Sequence, residues 1–331
     1  MSMKICIYGA GAVGGAMAAR LADDGNRVSV IARGAHGQAM RERGVTLVTQ
    51  DERIQARVEC VESASDLPKQ DVVIVTVKGP SLSAIAEGLA QLTTPESRVV
   101  FCMNGIPWWF SHGLGYTLSE AAADSLDPGR RLQTALPLDR TIGGVIYSSN
   151  EVMAPGVVHN TSPRNRFIVG TPDGREDAVT AALVDRLKAA GYDAYQTGSI
   201  REALWTKMLI VVGGPPVAAL TDCALDRLVN DDETRALMAS LMREGLTIGR
   251  RLGFDVVDDI DERLAYYVDK PVRPSMLQDF QLKRPPELES TILAFGAIAD
   301  ALRIEAPMLK LVGTLVRMRR EGVYAGERVA A

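Results

Sequence analysis

Three groups of residues in this chain of 331 amino acids have types and spacings that could do chemistry. The first is a set of three glycines near the N-terminus in the pattern G-x-G-x-x-G. The second is Lys207, a cation within an apolar stretch, and the third is a polar cluster that begins at Ser275 and includes Glu287. Glycine turns of this kind bind phosphates, whereas lysine and glutamate transfer protons or orient a substrate.

The glycine pattern follows an apolar run over residues 3–8 and precedes an alanine-rich stretch that ends near Ala22. In this strand–turn–helix context the first glycine permits a tight turn, the second admits a pyrophosphate close to the backbone, and the third lets the helix pack on the strand. A tight turn without a ligand is the structural alternative. The predicted cofactor-binding residues are Gly9, Ala10, Gly11, Ala12, Val13 and Gly14.

An arginine stands where NAD-preferring sites carry an acidic residue, about 20 positions after the glycines. The residues there are Ile31, Ala32 and Arg33, and a guanidinium can pair with the 2′-phosphate of NADPH. We therefore predict NADPH as the cofactor; an exposed arginine after an edge strand is the alternative. Lys78 and Asn104 each follow a further predicted strand, at the carboxyl edge where open α/β sheets bind ligands.

Lys207 has apolar residues at the spacings of helical neighbours, including Leu204, Ile210 and Val211. Such a lysine either extends its ammonium group to solvent or points into a cleft, where burial would make it a better proton donor near neutral pH. Both interpretations stay open from the pattern alone. Glu287 reads by itself as an acid in the first turn of a helix, where the helix dipole favours it.

The elements that must position these residues change character along the chain. Up to about residue 197, buried apolar runs such as 71–77 and 98–103 alternate with helical patterns, and residues 156–169 and 192–196 indicate later strands. From Ser199 onward the pattern is almost wholly helical, and the glycines and prolines of residues 213–216 are expected to break or kink its first helix. The sequence predicts an α/β protein: a Rossmann-type doubly wound sheet over residues 1–197, followed by an all-α domain over residues 198–331.

Composition narrows the classes of function. The net charge of −4 makes nucleic acid a poor partner, and the scattered cysteines and histidines have no metal-ligand spacing. The N-terminal apolar run is broken by glycines, and the pattern predicts no stretch long and apolar enough to cross a membrane. We therefore expect a cytoplasmic enzyme with a small-molecule substrate, no metal and no membrane contact.

The chain resembles the ketopantoate reductases, also called 2-dehydropantoate 2-reductases, over essentially its whole length. The matching segments, in the family's order, are KICIYGAGAVGG from Lys4, TVKG around Lys78, NG at Asn104, REALWTK ending at Lys207, and SMLQD from Ser275 with RPPELE around Glu287. The last two are far more specific than the glycine pattern. The resemblance implies NADPH-dependent reduction of 2-dehydropantoate to (R)-pantoate in pantothenate biosynthesis.

The resemblance also implies a role for each matching residue. Lys207 would be the general acid that hydrogen-bonds the ketone oxygen, and Glu287 would orient the substrate. Ser275 would bind the substrate carboxylate, Asn104 would lie by the nicotinamide and the substrate, and Lys78 would lie near the cofactor. A homodimer formed through the helical domain is a further expectation from the family.

The sequence departs from the family at positions that usually carry asparagines. They hold Val211, Pro215 and Val272 here, so the amides that would bind the polar groups of 2-dehydropantoate are missing. Trp108 and Trp109 could form an apolar pocket wall or pack between the domains. Two alternatives therefore stay open beside the main interpretation: a reductase of a less polar 2-oxo acid or carbonyl compound, and a sensor that binds NADPH without catalysis.

Overall fold

The computed structural model describes residues 3–325. By its internal contacts the chain divides into two compact units. Within the described range, the first unit comprises the residues up to Met103 together with Gly129–Arg201. The second unit comprises Asn104–Pro128 and the residues from Glu202 onward.

The first unit contains two sheets and five of the described helices. Its helices are α1 (Ala12–Asp23), α2 (Gly34–Arg43), α3 (Ala86–Leu92), α5 (Arg131–Ala135) and α6 (Ala178–Ala189). Its strands are β1 (Lys4–Tyr8), β2 (Arg27–Ile31), β3 (Val45–Val48), β4 (Arg53–Ala56), β5 (Glu59–Val61), β6 (Val72–Val75), β7 (Arg98–Phe101), β8 (Thr141–Tyr147), β9 (Asn150–Ala154), β10 (Val157–Asn160), β11 (Arg166–Gly170) and β12 (Asp193–Gln196).

The large sheet has the order β12-β11-β8-β7-β6-β1-β2-β5. Its pairs are parallel except β8 with β11, which is antiparallel. Strand β6 is buried along its whole length, as its unbroken run of valine and isoleucine predicted. The predicted doubly wound sheet with helices is confirmed, and its centre, β6-β1-β2, carries the glycine turn after β1.

A second, four-stranded sheet of order β4-β3-β10-β9 was not predicted. The single strand expected over residues 156–169 is wrong, because the chain forms β10 in the small sheet and then β11 in the large one. Between them Asn160 donates to the side chains of Ser148, Asn150 and Asn165. These hydrogen bonds hold the chain in a polar turn. A continuous strand over residues 156–169 would break them.

The second unit is helical among its described residues, as predicted. Its helices are α4 (Glu120–Leu126), α7 (Ile200–Thr221), α8 (Leu225–Val229), α9 (Asp232–Arg251), α10 (Ile260–Ala265), α11 (Ser275–Gln281), α12 (Ile292–Leu302) and α13 (Pro307–Ala325).

Helix α7 runs through Pro215 and Pro216, so of the break or kink expected there, the break is wrong. Two consecutive prolines remove two backbone donors, a loss that must be offset by packing. The preceding glycines show how: a Cβ on Gly213 would stand 2.7 Å from Met242 Cγ, and a Cβ on Gly214 would stand 2.8 Å from Leu225 Cδ2. Neighbouring side chains therefore press directly on this turn of the helix and hold it.

The expectation about membrane spans also needs correction. By length and composition, α7 could cross a membrane, and it is the one helix of the described residues that passes this test. Of its apolar window, 61% is buried within the protein. Such burial is typical of a core helix, whose hydropathy serves packing against other helices.

The sequence placed residues 104–128 in the first domain, whereas their contacts group them with the second unit. The physical reason is aromatic packing: the ring of Phe110 stacks on Trp205 of α7 at 5.7 Å and meets Phe254 edge-on. The main division falls between Arg201 and Glu202, within the first turn of α7, rather than at residue 197.

A buried ion pair ties β7 to α6 in the first unit. Asp177, with a side chain 3% exposed, accepts from Arg98 Nε at 2.7 Å and caps α6 through the backbone N–H of Thr180. Burial opposes ionisation of Asp177, but the hydrogen bonds from Thr180 and Arg98 outweigh it and hold its pKa below the ordinary value.

We expect Asp177→Asn to lower the free energy of unfolding by about 3 kcal/mol at pH 7, because asparagine keeps the cap but leaves Arg98 without its charged partner. Because the pKa of Asp177 is lower in the folded than in the unfolded protein, the stabilisation by its carboxylate is fully present above the unfolded pKa. This stabilisation, and with it the difference between wild type and variant, disappears as the pH falls through the folded pKa. Urea unfolding at pH 7 and at pH 3 measures both. Asp193→Asn, which breaks the exposed pair with Arg166, is the control and should cost less than about 1 kcal/mol. Equal losses for the two variants would contradict the assignment.

Candidate active site

The glycine turn after β1 is held by bonds within the first unit. Gly9 has a φ of +100°, which side chains rarely adopt, and its carbonyl accepts from Gly11 N–H and from Thr76 Oγ1 at 2.9 and 2.5 Å. A Cβ on Gly14 would stand 2.4 Å from Thr76 Oγ1 and 2.9 Å from Ile7. The first and third glycines are therefore required by the protein's own packing.

The second glycine is different. A Cβ on Gly11 would meet no atom of residues 3–325 within 4 Å, so the packing of this part of the chain does not require a glycine there. Gly11 is also the N-cap of α1, which has no side-chain cap and no acidic residue in its first turn. An open space at an uncapped helix N-terminus fits the pyrophosphate of a dinucleotide, which would accept from the free N–H groups.

Arg33 lies at the end of β2 as the N-cap residue of α2, and its side chain is exposed. It acts electrostatically on Tyr8 at the end of the neighbouring β1: burial raises the pKa of Tyr8, and the Arg33 cation opposes that rise. The described first turn of α2 contains no carboxylate. Arg33 and the glycine turn thus lie at the carboxyl ends of adjacent parallel strands, as predicted from the sequence.

His36, which the sequence analysis did not single out, joins α2 to the glycine turn. Its Nδ1 accepts from Gly156 N–H at 3.0 Å, and the carbonyls of Ala10 and Ala154 lie beside the ring. Burial lowers the pKa of His36, so the neutral ring is favoured. Its position in the first turn of α2 gives no signal of this role, because the contacts come from distant loops.

Lys78 is exposed and follows β6 by three residues, at the start of a short 3₁₀ turn over Gly79–Ser81. Like Arg33, it belongs to the carboxyl edge of the large sheet in the first unit. Asn104 follows β7 by three residues, but its contacts assign it to the second unit. Of the two residues expected at the carboxyl edge of the sheet, Lys78 therefore belongs to the first unit and Asn104 to the second.

In the second unit the structure brings together two of the predicted site residues. Lys207 Nζ donates to Asn104 Oδ1 at 2.7 Å. Lys207 is half-buried in the middle of α7, but its hydrogen bond to Asn104 is exposed to solvent, so both interpretations of this lysine stay open. A short bond from a cation to a neutral amide oxygen restricts where the ammonium group lies.

The segment that carries Asn104 is clamped to the segment that carries Glu287. Ile106 N–H donates to the carbonyl of Ser290 at 2.5 Å, and Gly105, at a φ of +130°, packs against the same serine. A Cβ on Gly105 would stand 2.4 Å from Ser290 Oγ. Gly105 therefore permits a close approach that holds Asn104 beside Lys207.

Glu287 is half-buried in the connection between α11 and α12, and its carbonyl accepts from Thr291 Oγ1. Helix α12 begins at Ile292, so the interpretation of Glu287 as a first-turn acid is wrong. Ser275 is exposed as the first residue of α11. Both residues belong to the second unit with Lys207 and Asn104.

Trp108 and Trp109 do not form an open wall. They are 7% and 1% exposed, and Phe110, which follows them, is fully buried in a stack with Trp205 and Phe295. Trp205 Nε1 donates to the carbonyl of Gly245 at 3.0 Å, which fixes the stack to α9. Both tryptophans are therefore buried, and Phe110 anchors the segment that carries Asn104 to the second unit.

No group of three or more histidine, cysteine, aspartate or glutamate side chains could hold a metal ion among residues 3–325. The four cysteines are free thiols.

Three residues that complete this geometry were missed from the sequence: Thr76, Ser290 and His36. Thr76 follows a buried strand and could have been noted as a hydroxyl at the carboxyl edge. Ser290 and His36 gave no usable signal, since each acts on a backbone segment more than a hundred residues away.

We expect Gly105→Ala to lower the free energy of unfolding by more than about 2 kcal/mol, because the new methyl group adds a clash with Ser290 to an unfavourable φ. Gly113→Ala is a matched control: Gly113 also has a positive φ in the second unit, but a Cβ there would meet nothing within 4 Å. Its cost should be about 1 kcal/mol. Chemical denaturation compares the two, and a Gly105→Ala loss no larger than the control would argue against the clamp.

The comparisons with known proteins agree with this architecture. Residues 5–174 match ketopantoate reductase PanE/ApbA, and residues 199–320 match its C-terminal family. A 2-dehydropantoate 2-reductase of Mesorhizobium japonicum is 34% identical over 95% of this chain and 97% of its own length. A solved protein of Ralstonia solanacearum MolK2, assigned to the ketopantoate reductases, is 32% identical with a TM-score of 0.88, covering 98% of this chain and 99% of that one. A D-mandelate dehydrogenase in ternary complex with NADH shares the fold. It is 19% identical, with a TM-score of 0.81, and the match covers 97% of this chain and 99% of that one. The chain therefore belongs to the ketopantoate reductase family.

Proposed function

We propose that this protein is an NADPH-dependent oxidoreductase that reduces the ketone of a 2-oxo acid, with 2-dehydropantoate giving (R)-pantoate as the reaction named for its relatives. The observation that carries the proposal is the hydrogen bond of 2.7 Å from Lys207 Nζ to Asn104 Oδ1. It gives a possible proton donor a side-chain partner, on a helix whose apolar window is 61% buried. A sensor that only bound the cofactor would have no need of such a donor.

When bound, NADPH supplies a hydride to the carbonyl carbon. Lys207 donates a proton from its ammonium group to the ketone oxygen, so that the oxygen becomes the hydroxyl of the product. The lysine is left neutral and takes a proton from solvent before the next turnover. One hydride and one proton are thus added across the C=O bond.

Asn104 has the side chain suited to hold this donor. Its amide oxygen accepts from the ammonium group but does not take the proton at neutral pH, so Lys207 stays charged until the substrate oxygen accepts. A carboxylate in its place would compete for the proton and stabilise the charged lysine. The neutral partner therefore orients Lys207 at little cost to its acidity.

Ser275 and Glu287 complete the proposed site. The hydroxyl of Ser275, exposed at the first residue of α11, would bind the substrate carboxylate. Glu287, next to the segment clamped to Asn104, would orient the substrate. Both roles are carried over from the family resemblance and are part of the proposal.

The preference for NADPH rests on Arg33 and on the absence of an acidic residue in the described first turn of α2. The glycine turn, from Gly9 to Gly14, would hold the pyrophosphate, and Lys78 would lie near it. We place the reaction in pantothenate biosynthesis in the cytoplasm, and a homodimer remains an expectation from the family resemblance.

Lys207→Met tests the proposal. We expect kcat/KM for 2-dehydropantoate to fall by roughly 10² to 10⁴, the usual effect of a positioned proton donor, while the Kd for NADPH stays unchanged. NADPH oxidation followed at 340 nm and fluorescence titration of NADPH measure the two quantities. Lys310→Met removes an exposed lysine of the same unit, which pairs with Asp300, and should leave both unchanged. Turnover that survives in Lys207→Met would exclude this lysine as the acid.

A second test concerns the cofactor. Arg33→Gln should raise the KM for NADPH by roughly tenfold to a hundredfold, because a charged hydrogen bond to the 2′-phosphate is lost. The KM for NADH, which lacks that phosphate, should change little. Equal effects on the two cofactors would show that Arg33 does not recognise the phosphate.

A further inference from the structure

The ring of His36 lies where three segments of the first unit meet: the first turn of α2, the glycine turn, and the turn between β9 and β10. Its Nδ1 accepts from the N–H of Gly156, in the turn between the two strands, at 3.0 Å. A neutral imidazole that accepts at one nitrogen carries its proton on the other. The N–H donor of His36 is therefore Nε2.

This donor has an unusual environment. Nε2 is shielded from solvent and has no hydrogen bond among the described residues, an arrangement that costs free energy and calls for a reason. The carbonyls of Ala10 and Ala154 are the backbone acceptors that act on the ring. Ala154 belongs to the same turn as Gly156, which occupies Nδ1. This leaves Ala10, in the glycine turn, as the acceptor for Nε2.

The carbonyl of Ala10 belongs to the peptide unit that leads into α1. The N–H of the same unit, that of Gly11, donates to the carbonyl of Gly9 at 2.9 Å, and Thr76 Oγ1 donates to that carbonyl as well. Because a trans peptide unit is planar, its C=O and its N–H point in opposite directions. A second bond, from His36 to the carbonyl of Ala10, would therefore hold this peptide unit at both ends.

Packing places the carbonyl of Ala10 on the side of α1 that contacts α2 and the small sheet. A Cβ on Gly15, in the first turn of α1, would stand 2.8 Å from Val158 Cγ2 of β10 and 3.5 Å from Met40 Cε of α2. The same Cβ would stand 3.9 Å from the carbonyl oxygen of Ala10. The start of α1 therefore packs against both of the elements that position His36.

We propose that His36 is a positioning residue for the dinucleotide: with cofactor bound, its Nε2–H donates to the carbonyl of Ala10 and fixes the peptide unit before α1. The inference rests on the proposed function and concerns how that same site holds its cofactor. The N–H groups at the start of α1 are then ordered towards the pyrophosphate, so less free energy is lost on binding. His36 acts through the turn, and its effect is therefore on cofactor affinity rather than on the chemical step.

Asparagine and glutamine each keep one of the two hydrogen-bonding positions of this ring. The amide of His36→Asn lies near the place of Nδ1 and can accept from Gly156, whereas the amide of His36→Gln reaches the place of Nε2 and can donate to Ala10. We expect the Kd for NADPH, measured by fluorescence titration of the full-length protein, to rise about tenfold in His36→Asn and less than about threefold in His36→Gln. The Kd for NADH should rise by the same factors, because both cofactors contain the pyrophosphate.

The turnover number separates positioning from catalysis. With NADPH saturating, kcat for 2-dehydropantoate should stay within about twofold of wild type in both variants. If His36→Asn folds poorly, His36→Ala takes its place, because alanine favours the helix and lacks both hydrogen-bonding positions. Its Kd should rise at least as much. His159→Asn is the matched control: His159 is half-buried on β10, on the opposite face of the strand from Val158, and the Kd should stay at the wild-type value.

The outcomes separate this inference from the proposed function. If the folded wild-type protein does not bind NADPH, the proposed function fails. If it binds NADPH and His36→Gln binds it more weakly than His36→Asn, only the inference fails, because the contact with Gly156 would then be the one that matters. Unchanged Kd values in the His36 variants would also overturn the inference, and so would a rise confined to NADPH, which would place His36 at the 2′-phosphate.

Discussion

The hydrogen bond between Lys207 and Asn104 is the interaction on which the rest of the candidate site depends. It joins two side chains 103 residues apart in sequence, one on α7 and the other on a short clamped segment. A free lysine side chain has up to about 2 kcal/mol of rotamer entropy to lose when it is fixed. The bond to Asn104 restricts the ammonium group before any ligand binds, so less of this entropy is left to lose on binding.

Fixing both partners places strict demands on packing. On one side the rigidity of α7 comes from tertiary contacts rather than from helix propensity, since its interior contains two glycines followed by two prolines. Those glycines let Met242 and Leu225 approach the helix backbone directly. On the other side the stack of Phe110, Trp205 and Phe295 holds the segment after Asn104, and Gly105 allows that segment to touch Ser290.

The three glycines of the turn after β1 in the first unit are not all required for the same physical reason. Gly14 is a glycine because Thr76 and Ile7 leave no room for a side chain, and Gly9 because its φ excludes one. Gly11 faces open space, so the packing of the described residues does not require a glycine there. The contrast separates the glycines that the fold needs from one that it does not need.

Local chemistry was enough to predict much of this protein. The buried apolar runs determined the strands of the large sheet, the glycine spacing determined the turn after β1, and the helical pattern after Ser199 determined the nature of the second unit. These features depend on neighbours within a few residues, so the local sequence is enough to predict them.

Tertiary structure decided what depends on distant partners. It determined that α7 continues through Pro215 and Pro216, that Trp108 and Trp109 are core, that the segment from Asn104 belongs with the helical unit, and that residues 156–169 divide between two sheets. It also placed Lys207 on Asn104 and Gly105 on Ser290. Each outcome is set by packing energies between segments far apart in the chain, and local propensities such as the helix-breaking tendency of proline are overridden when that packing is tight.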